Sequence, residues 1–329
     1  MSDAAAEHAR NTKIGIAFVV LGMVGISIND MLIKQLSGNY PLHQMVFVRS
    51  AIGIIFSAII IQFEGGWSIL KTKRPFLHMI RGLTVVVSNL AYFAALAVMP
   101  LADATAMFFV APLFITLLSI PFLGETVGFR RIGAVIVGFI GVLVMLRPGV
   151  ELPGGGPGIF ILMLPVLSAF AYACLQIMTR ALGVKSKASA MAFYVQLTFI
   201  VVSLLFFAVA GDGRYAEGVE NEVVLFLLRA WTWPANADWP LFILLGLLSA
   251  VIGYTLAQAY RMANAATVAP FEYVGMPMAI FWGWLIFGTL PDMWVWAGVF
   301  LISASGLYVF LRERVRNEPI VGRRRVRRW

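Results

Sequence analysis

The chain has 329 residues, of which 60% are hydrophobic and only 12% are charged. A soluble domain carries about 25% charged residues and must wet its surface, so a soluble globule, a disordered chain, a collagen and a disulfide scaffold are all excluded. The formal charge of +9 says nothing of partners until its position along the chain is known.

In chain order, residues 1–13 read as a polar tail of mixed charge, and the apolar run that follows is too long for a signal-peptide core. Ten apolar runs are then long enough to cross a bilayer core, which takes about 20 residues of helix. They are predicted at 14–36, 42–62, 78–98, 102–122 and 130–147, then at 158–180, 188–209, 239–260, 265–287 and 292–311. They are rich in Gly, Ala and Ser, which let helices approach closely in lipid. No ten-residue alternation points to a β-barrel. The fold class is therefore an all-α polytopic membrane protein with ten transmembrane helices. One connection is long, about 210–238, and acidic. Its stretch 223–231 is too short to span. It reads either as an interfacial amphipathic helix anchored by Trp231 and Trp233 or as a surface loop.

With the N-terminus inside, nineteen Lys and Arg fall in inner tails and loops, against four (Lys34, Arg147, Arg214, Arg229) on the outer side. The positive-inside rule then places both termini in the cytoplasm. The arginine run at 323–328 reads as a contact with anionic inner-leaflet lipid, not as a nucleic-acid site. Cys174 is the single cysteine, and His8, His43 and His78 are scattered. Neither a nucleophile–base constellation nor a metal cluster is implied, so the expectation is no enzyme and no cofactor.

The chain also repeats itself. A shift of 165 brings Pro112 onto Pro277, Gly133 onto Gly298 and Gly141 onto Gly306, and aligns GVLVMLR with GLYVFLR. A shift of 164 pairs Gly82 with Gly246 and Gly124 with Gly288, and one of 147 pairs Arg49 with Gln196. Five spans per half is an odd number, so the second half enters the membrane from the opposite side. Inverted repeats of this kind occur in secondary transporters and also in channels. The expected domains are a tail at 1–13, a first repeat at 14–147, a second repeat at 158–311 holding the outer loop 210–238, and a basic tail at 312–329.

The stretch PLADATAMFFVAPLFITLLSIPFLGETVGFRRIGAVIVGFIGVLVMLRPG (100–149) resembles the EamA repeat of the drug/metabolite transporter superfamily. So does NAATVAPFEYVGMPMAIFWGWLIFGTLPDMWVWAGVFLISASGLYVFLRER (264–314), and the resemblance extends to NDMLIKQLSGNYPLHQMVFVRS (29–50). The resemblance implies a ten-helix inverted-repeat carrier whose helices 1–4 and 6–9 enclose a cavity, with 5 and 10 as buttresses. Gly124-Glu125 matches the family's Gly-Glu pair, whereas the second copy has Gly288-Thr289.

Ionisable residues within spans are costly and mark function by default. From the 1.5 Å helical rise, Arg49 lies about 19 Å and Asp30 about 24 Å above the cytoplasmic edge. Glu272 lies at about 10 Å and Arg81, at about 5 Å, is shallow. Asp30 and Arg49 read as a candidate pair, with a surface pair between Asp30 and Lys34 as the alternative. Glu272 stands among Pro270, Gly275 and Pro277, where the helix should kink. It is the candidate coupling or gating group together with Asp30, or else a fixed partner of Arg49, Arg81 or Arg261. Arg49, Asn89, Tyr92, Tyr172, Gln196, Tyr254 and Tyr273 are the candidate substrate-binding residues, since aromatic walls with amide donors suit a small ring-bearing solute. The expected function is secondary active, proton-coupled transport of a small organic metabolite across the inner membrane by alternating access, with uptake of a vitamin or cofactor such as riboflavin or S-adenosylmethionine as the most specific form. Metabolite or drug efflux, or a passive channel, is the alternative. The expected partners are the small-molecule substrate and membrane lipid, and the protein is read as a monomer or a homodimer.

Overall fold

The computed structural model describes residues 3–124, 128–146, 158–182, 186–263 and 265–316. Glu125, Arg147, Lys185 and the arginine run at 323–328 lie outside them. The described residues form helices and no strand. In chain order these are α1 (Asp3–Leu36), α2 (Leu42–Glu64), α3 (Pro75–Val98), α4 (Leu101–Phe108), α5 (Ala111–Leu123), α6 (Phe129–Leu146), α7 (Ile159–Leu182), α8 (Ala188–Ala210), α9 (Glu222–Leu228), α10 (Trp239–Met262), α11 (Ala265–Val268), α12 (Gly275–Phe287) and α13 (Met293–Arg316).

Seven helical stretches among the described residues are long and apolar enough to cross a membrane: Arg10–Leu36 within α1, α2, α3, the α4–α5 stretch Leu101–Leu123, α7, α8 and α10. Ile132–Leu146 and Met293–Tyr308 are apolar but shorter. Helix α1 starts well before the predicted first span, because its alanine-rich start is made of strong helix formers and carries the helix into the polar segment. Large apolar side chains, among them Ile55, Ile140, Leu205 and Phe300, point outward. Exposed apolar surface on this scale fits lipid as the solvent.

Two stretches are interrupted at matching places. Between α4 and α5 the helix breaks at Phe109–Val110, just before Pro112. The run predicted at 265–287 is split into α11, a 3₁₀ segment Ala269–Val274 that carries Glu272, and α12. Prolines 270 and 277 remove backbone donors there. Helices α5 and α12 are each 13 residues long. Each ends on a glycine in the left-handed region, Gly124 at φ 69° and Gly288 at φ 63°, where a Cβ would clash with the carbonyl.

Packing joins distant parts of the chain. Helix α1 lies against α10, α3 against α7, α2 against α8, and α6 against α13. Small residues set the closest of these approaches: a Cβ on Gly141 would sit 3.0 Å from the Gly298 carbonyl oxygen, across the α6–α13 contact.

The long acidic connection is docked and does not lie free in the interface. Asn221 caps α9, its Oδ1 accepting from the Val223 and Val224 amides. Phe226 is buried against the rest of the protein, and α9 packs on α2 and α3. Trp231 packs at a tilt against Phe207 and Phe47, whereas Trp233 is 83% exposed. Polar contacts fasten the segment to the α1–α2 corner. Tyr40 Oη donates to Asp238 (2.7 Å) and accepts from the Ala235 amide (2.9 Å). Gln44 bonds both backbone groups of Thr232, and Arg229 donates to the Gly38 carbonyl. Burial and the facing Asp238 carboxylate hold the Tyr40 phenol above its ordinary value.

Candidate functional site

A cavity of about 150 Å³ lies among α1, α2, α3, α4, α7, α8 and α10. No residue of α6 or α13 lines it. Its aromatic wall is Tyr92, Phe93, Phe108, Tyr172 and Phe199, and its polar lining includes Asn29, Asp30, Arg49, Arg81, Ser88, Asn89, Ser168, Gln176, Gln196 and Ser249. Polar residues on an otherwise apolar wall are what orient a bound solute.

Arg49 sits at one end, 4% exposed. Its guanidinium lies over the rings of Phe199 and Phe93, at 5.2 and 5.8 Å from their centroids. It donates to two neutral amide oxygens, Asn29 Oδ1 (3.1 Å) and Asn89 Oδ1 (2.6 Å), while its buried Nε–H has no partner. Asn29 turns its own amide nitrogen to Asp30 Oδ1 (3.1 Å). The candidate Asp30–Arg49 pair is therefore bridged by an amide and is not a direct ion pair. Lys34 does not hold Asp30. Its Nζ donates to the carbonyls of Leu96 and Met99 (2.9 and 2.8 Å), at the end of α3 where helical carbonyls lack partners.

Glu272 is 1% exposed. Its Oε1 accepts from Tyr260 Oη at 2.5 Å and from Tyr172 Oη at 2.9 Å. The alternative of a fixed partner of Arg49, Arg81 or Arg261 is thus replaced by two phenols. Glu272 itself does not line the cavity; Tyr172 does, so the carboxylate lies one side chain behind the wall.

Of the remaining predicted binding residues, Tyr92 and Gln196 line the cavity. Tyr92 shares a 2.7 Å bond with Thr105, and Gln196 donates to Ser249 Oγ (2.8 Å). Tyr254 and Tyr273 do not line it. Tyr254 donates to Glu64 (3.0 Å) at the end of α2, where Glu64 also accepts from Ser189 Oγ (2.6 Å). Tyr273 packs on Phe109 and over Gly306, with its buried hydroxyl unpartnered. Both stand on helical segments beside the cavity but turn their rings away from it. Asn29, Gln176, Ser168 and Ser249 were missed, as was Tyr260. Arg81, read as shallow, is 4% exposed and lines the cavity.

Comparison with known proteins follows the same lines. Residues 13–147 match the EamA-like transporter family. The chain is 29% identical to an S-adenosylmethionine uptake transporter of Rickettsia felis, over 91% of this chain and 93% of that protein. It is also 29% identical to a riboflavin transporter of Rhizobium johnstonii, over 93% of each. A pseudopaline exporter of Pseudomonas aeruginosa is 26% identical over 89% of this chain and 94% of its own. A crystal structure 18% identical in sequence superposes with a TM-score of 0.65, covering 94% of this chain and 99% of that one. The chain is a multi-pass membrane protein whose residues 13–147 match the EamA-like transporter family and which is similar, over about nine-tenths of its length, to membrane transporters.

Proposed function

We propose that the protein is a secondary active carrier that moves a small organic metabolite across the inner membrane by alternating access. The observation that carries this reading is the central cavity, walled by helices from both halves of the chain and lined by buried Arg49 and Asp30. The relatives named for S-adenosylmethionine and riboflavin transport support uptake of one of these or a similar ring-bearing cofactor. Efflux is the second reading, favoured by the exporter relative.

The proposed architecture is ten crossing helices in two inverted repeats, both termini cytoplasmic. The interrupted α4–α5 and α11–α12 stretches, each closing on a left-handed glycine, support it. So does the packing: exchanging the halves turns the α1–α10 contact into α7–α3 and leaves α2–α8 and α6–α13 unchanged. In such a carrier the paired interruptions let the two halves tilt about a fixed site.

Glu272 is the proposed coupling group. Ionised, it accepts from both Tyr172 and Tyr260. Protonated on Oε2, it gains a donor, and Oε1, now a carbonyl oxygen, accepts more weakly from the two phenols. The weaker hold on Tyr172, which lines the cavity, is how the proton is felt by a bound solute.

The test is uptake of radiolabelled S-adenosylmethionine and riboflavin into proteoliposomes with an imposed proton gradient. The expected result is accumulation of one of them, collapsed by a protonophore. Glu272→Gln should abolish accumulation while leaving exchange down a gradient. Wild-type accumulation by Glu272→Gln removes the proton role, and equilibration without accumulation by the wild type makes the protein a channel.

A further inference from the structure

Arg81 is a buried cation that the cavity's other charges leave uncompensated. It stands on α3, six residues from the start of that helix at Pro75, whereas Arg49 is fifteen residues from the end of α2 at Glu64. Both ends meet at the same short connection, so the Cα atoms of the two arginines differ in height along their helices by about 13 Å. Arg81 Nε donates to Thr179 Oγ1 (2.8 Å) and Nη1 to the Met191 carbonyl (2.9 Å), both neutral acceptors. Among the described residues its Nη2 makes no hydrogen bond within the protein, and no carboxylate pairs with the guanidinium. Ala192 and Ala257 line the cavity beside it, and side chains this small leave room next to the fork.

The carboxylates of the site are engaged elsewhere. Asp30 is tied through Asn29 to Arg49, at the far end. Glu272 is held by two phenols behind the wall. His78 bonds Ser186 and brings no negative charge. A buried charge without a partner is expensive, more so in a membrane. An arginine fork with free donors is built for a carboxylate or phosphate.

Resting on the carrier reading above, we propose that Arg81 is an anion subsite. The transported molecule carries a carboxylate or phosphate that docks on the Arg81 guanidinium, and its ring lies against Phe93, Phe108, Tyr172 and Phe199.

The test is binding to purified wild-type protein by calorimetry, with two pairs of probes. S-adenosylmethionine is set against its decarboxylated form, and riboflavin 5′-phosphate against riboflavin. The expected result is that the member of one pair that bears the carboxylate or phosphate binds about tenfold tighter or more, and the pair that discriminates identifies carboxylate or phosphate as the anchor. Arg81→Gln should erase the preference, chiefly by weakening the member that bears the carboxylate or phosphate. Arg81→Lys should keep part of it, which reads the same role if the Gln variant does not fold. Equal binding within both pairs, or a preference that survives in Arg81→Gln, overturns the subsite. Binding preference without vesicle uptake keeps the subsite and overturns the carrier; uptake without preference does the reverse.

Discussion

At the residue scale, the site is a set of side chains that neutralise one another through intermediaries. An amide stands between Asp30 and Arg49, and phenols stand around Glu272. A direct buried ion pair often gains little over its desolvation cost, and mediated contacts leave the charged groups free to change partner. Tyr260 is fully buried away from the cavity, so its bond to Glu272 is structural. Tyr260→Phe should destabilise the protein by about 1–3 kcal/mol, read as a lowered unfolding midpoint in detergent, with transport by the surviving protein near normal. Tyr172→Phe should cost similar stability and also impair transport, because that ring faces the cavity. Equal transport defects in the two variants would contradict this division. The sequence pointed to Arg49, Asp30, Asn89, Tyr92, Tyr172 and Gln196 through depth alone. Depth does not give the face of a helix, and Tyr254 and Tyr273, at similar depth, do not line the cavity. Arg81 was discounted for its nearness to the helix start, yet the packing of α3 against α7 and α8 covers it. Tyr260 carried no signal at all, since a tyrosine next to Arg261 near a helix end reads as an interface anchor.

At the element scale, the helices were legible because a bilayer imposes length and apolarity together. The break at Glu272 was legible too, from Pro270, Gly275 and Pro277. Its counterpart at Phe109–Val110 was not, because only Pro112 marks it. The docking of α9 was equally hidden: the apolar face of a seven-residue helix does not say whether lipid or protein covers it. Close approach of α6 and α13 depends on glycine. At Gly141 an added Cβ would meet the Gly298 oxygen, Ile302 and Leu301, all at 3.0 Å, and a backbone oxygen cannot be displaced cheaply. Gly141→Val should cost about 1–3 kcal/mol, measured by thermal unfolding. Gly133→Val, which meets nothing nearby, should change stability little. Equal losses from the two would mean that the α6–α13 spacing is not what Gly141 secures.

At the scale of the whole molecule, the proposed orientation has a direct check. In a background where Cys174 is replaced by Ala, Ser68→Cys lies in the exposed turn between α2 and α3, and Glu217→Cys lies in the exposed segment between α8 and α9. A membrane-impermeant maleimide should label Glu217→Cys in intact cells and Ser68→Cys only after permeabilisation. The reverse pattern would invert the assignment of both termini. The docked 221–238 segment lies on the side that Glu217 marks, held by Tyr40, Gln44 and Arg229.

The pairing of α1 with α10 also bears on how the protein is made. About 200 residues separate the end of α1 from the start of α10, so at synthesis rates of 5–20 residues per second α1 waits roughly 10–40 s for its main neighbour. Throughout that interval it stands in the bilayer carrying Asp30. The Asn29 bridge to Arg49 involves only α1 and α2, so it can close as soon as the second helix inserts. The same three side chains that furnish one end of the cavity in the finished carrier thus shield a charge during its biogenesis.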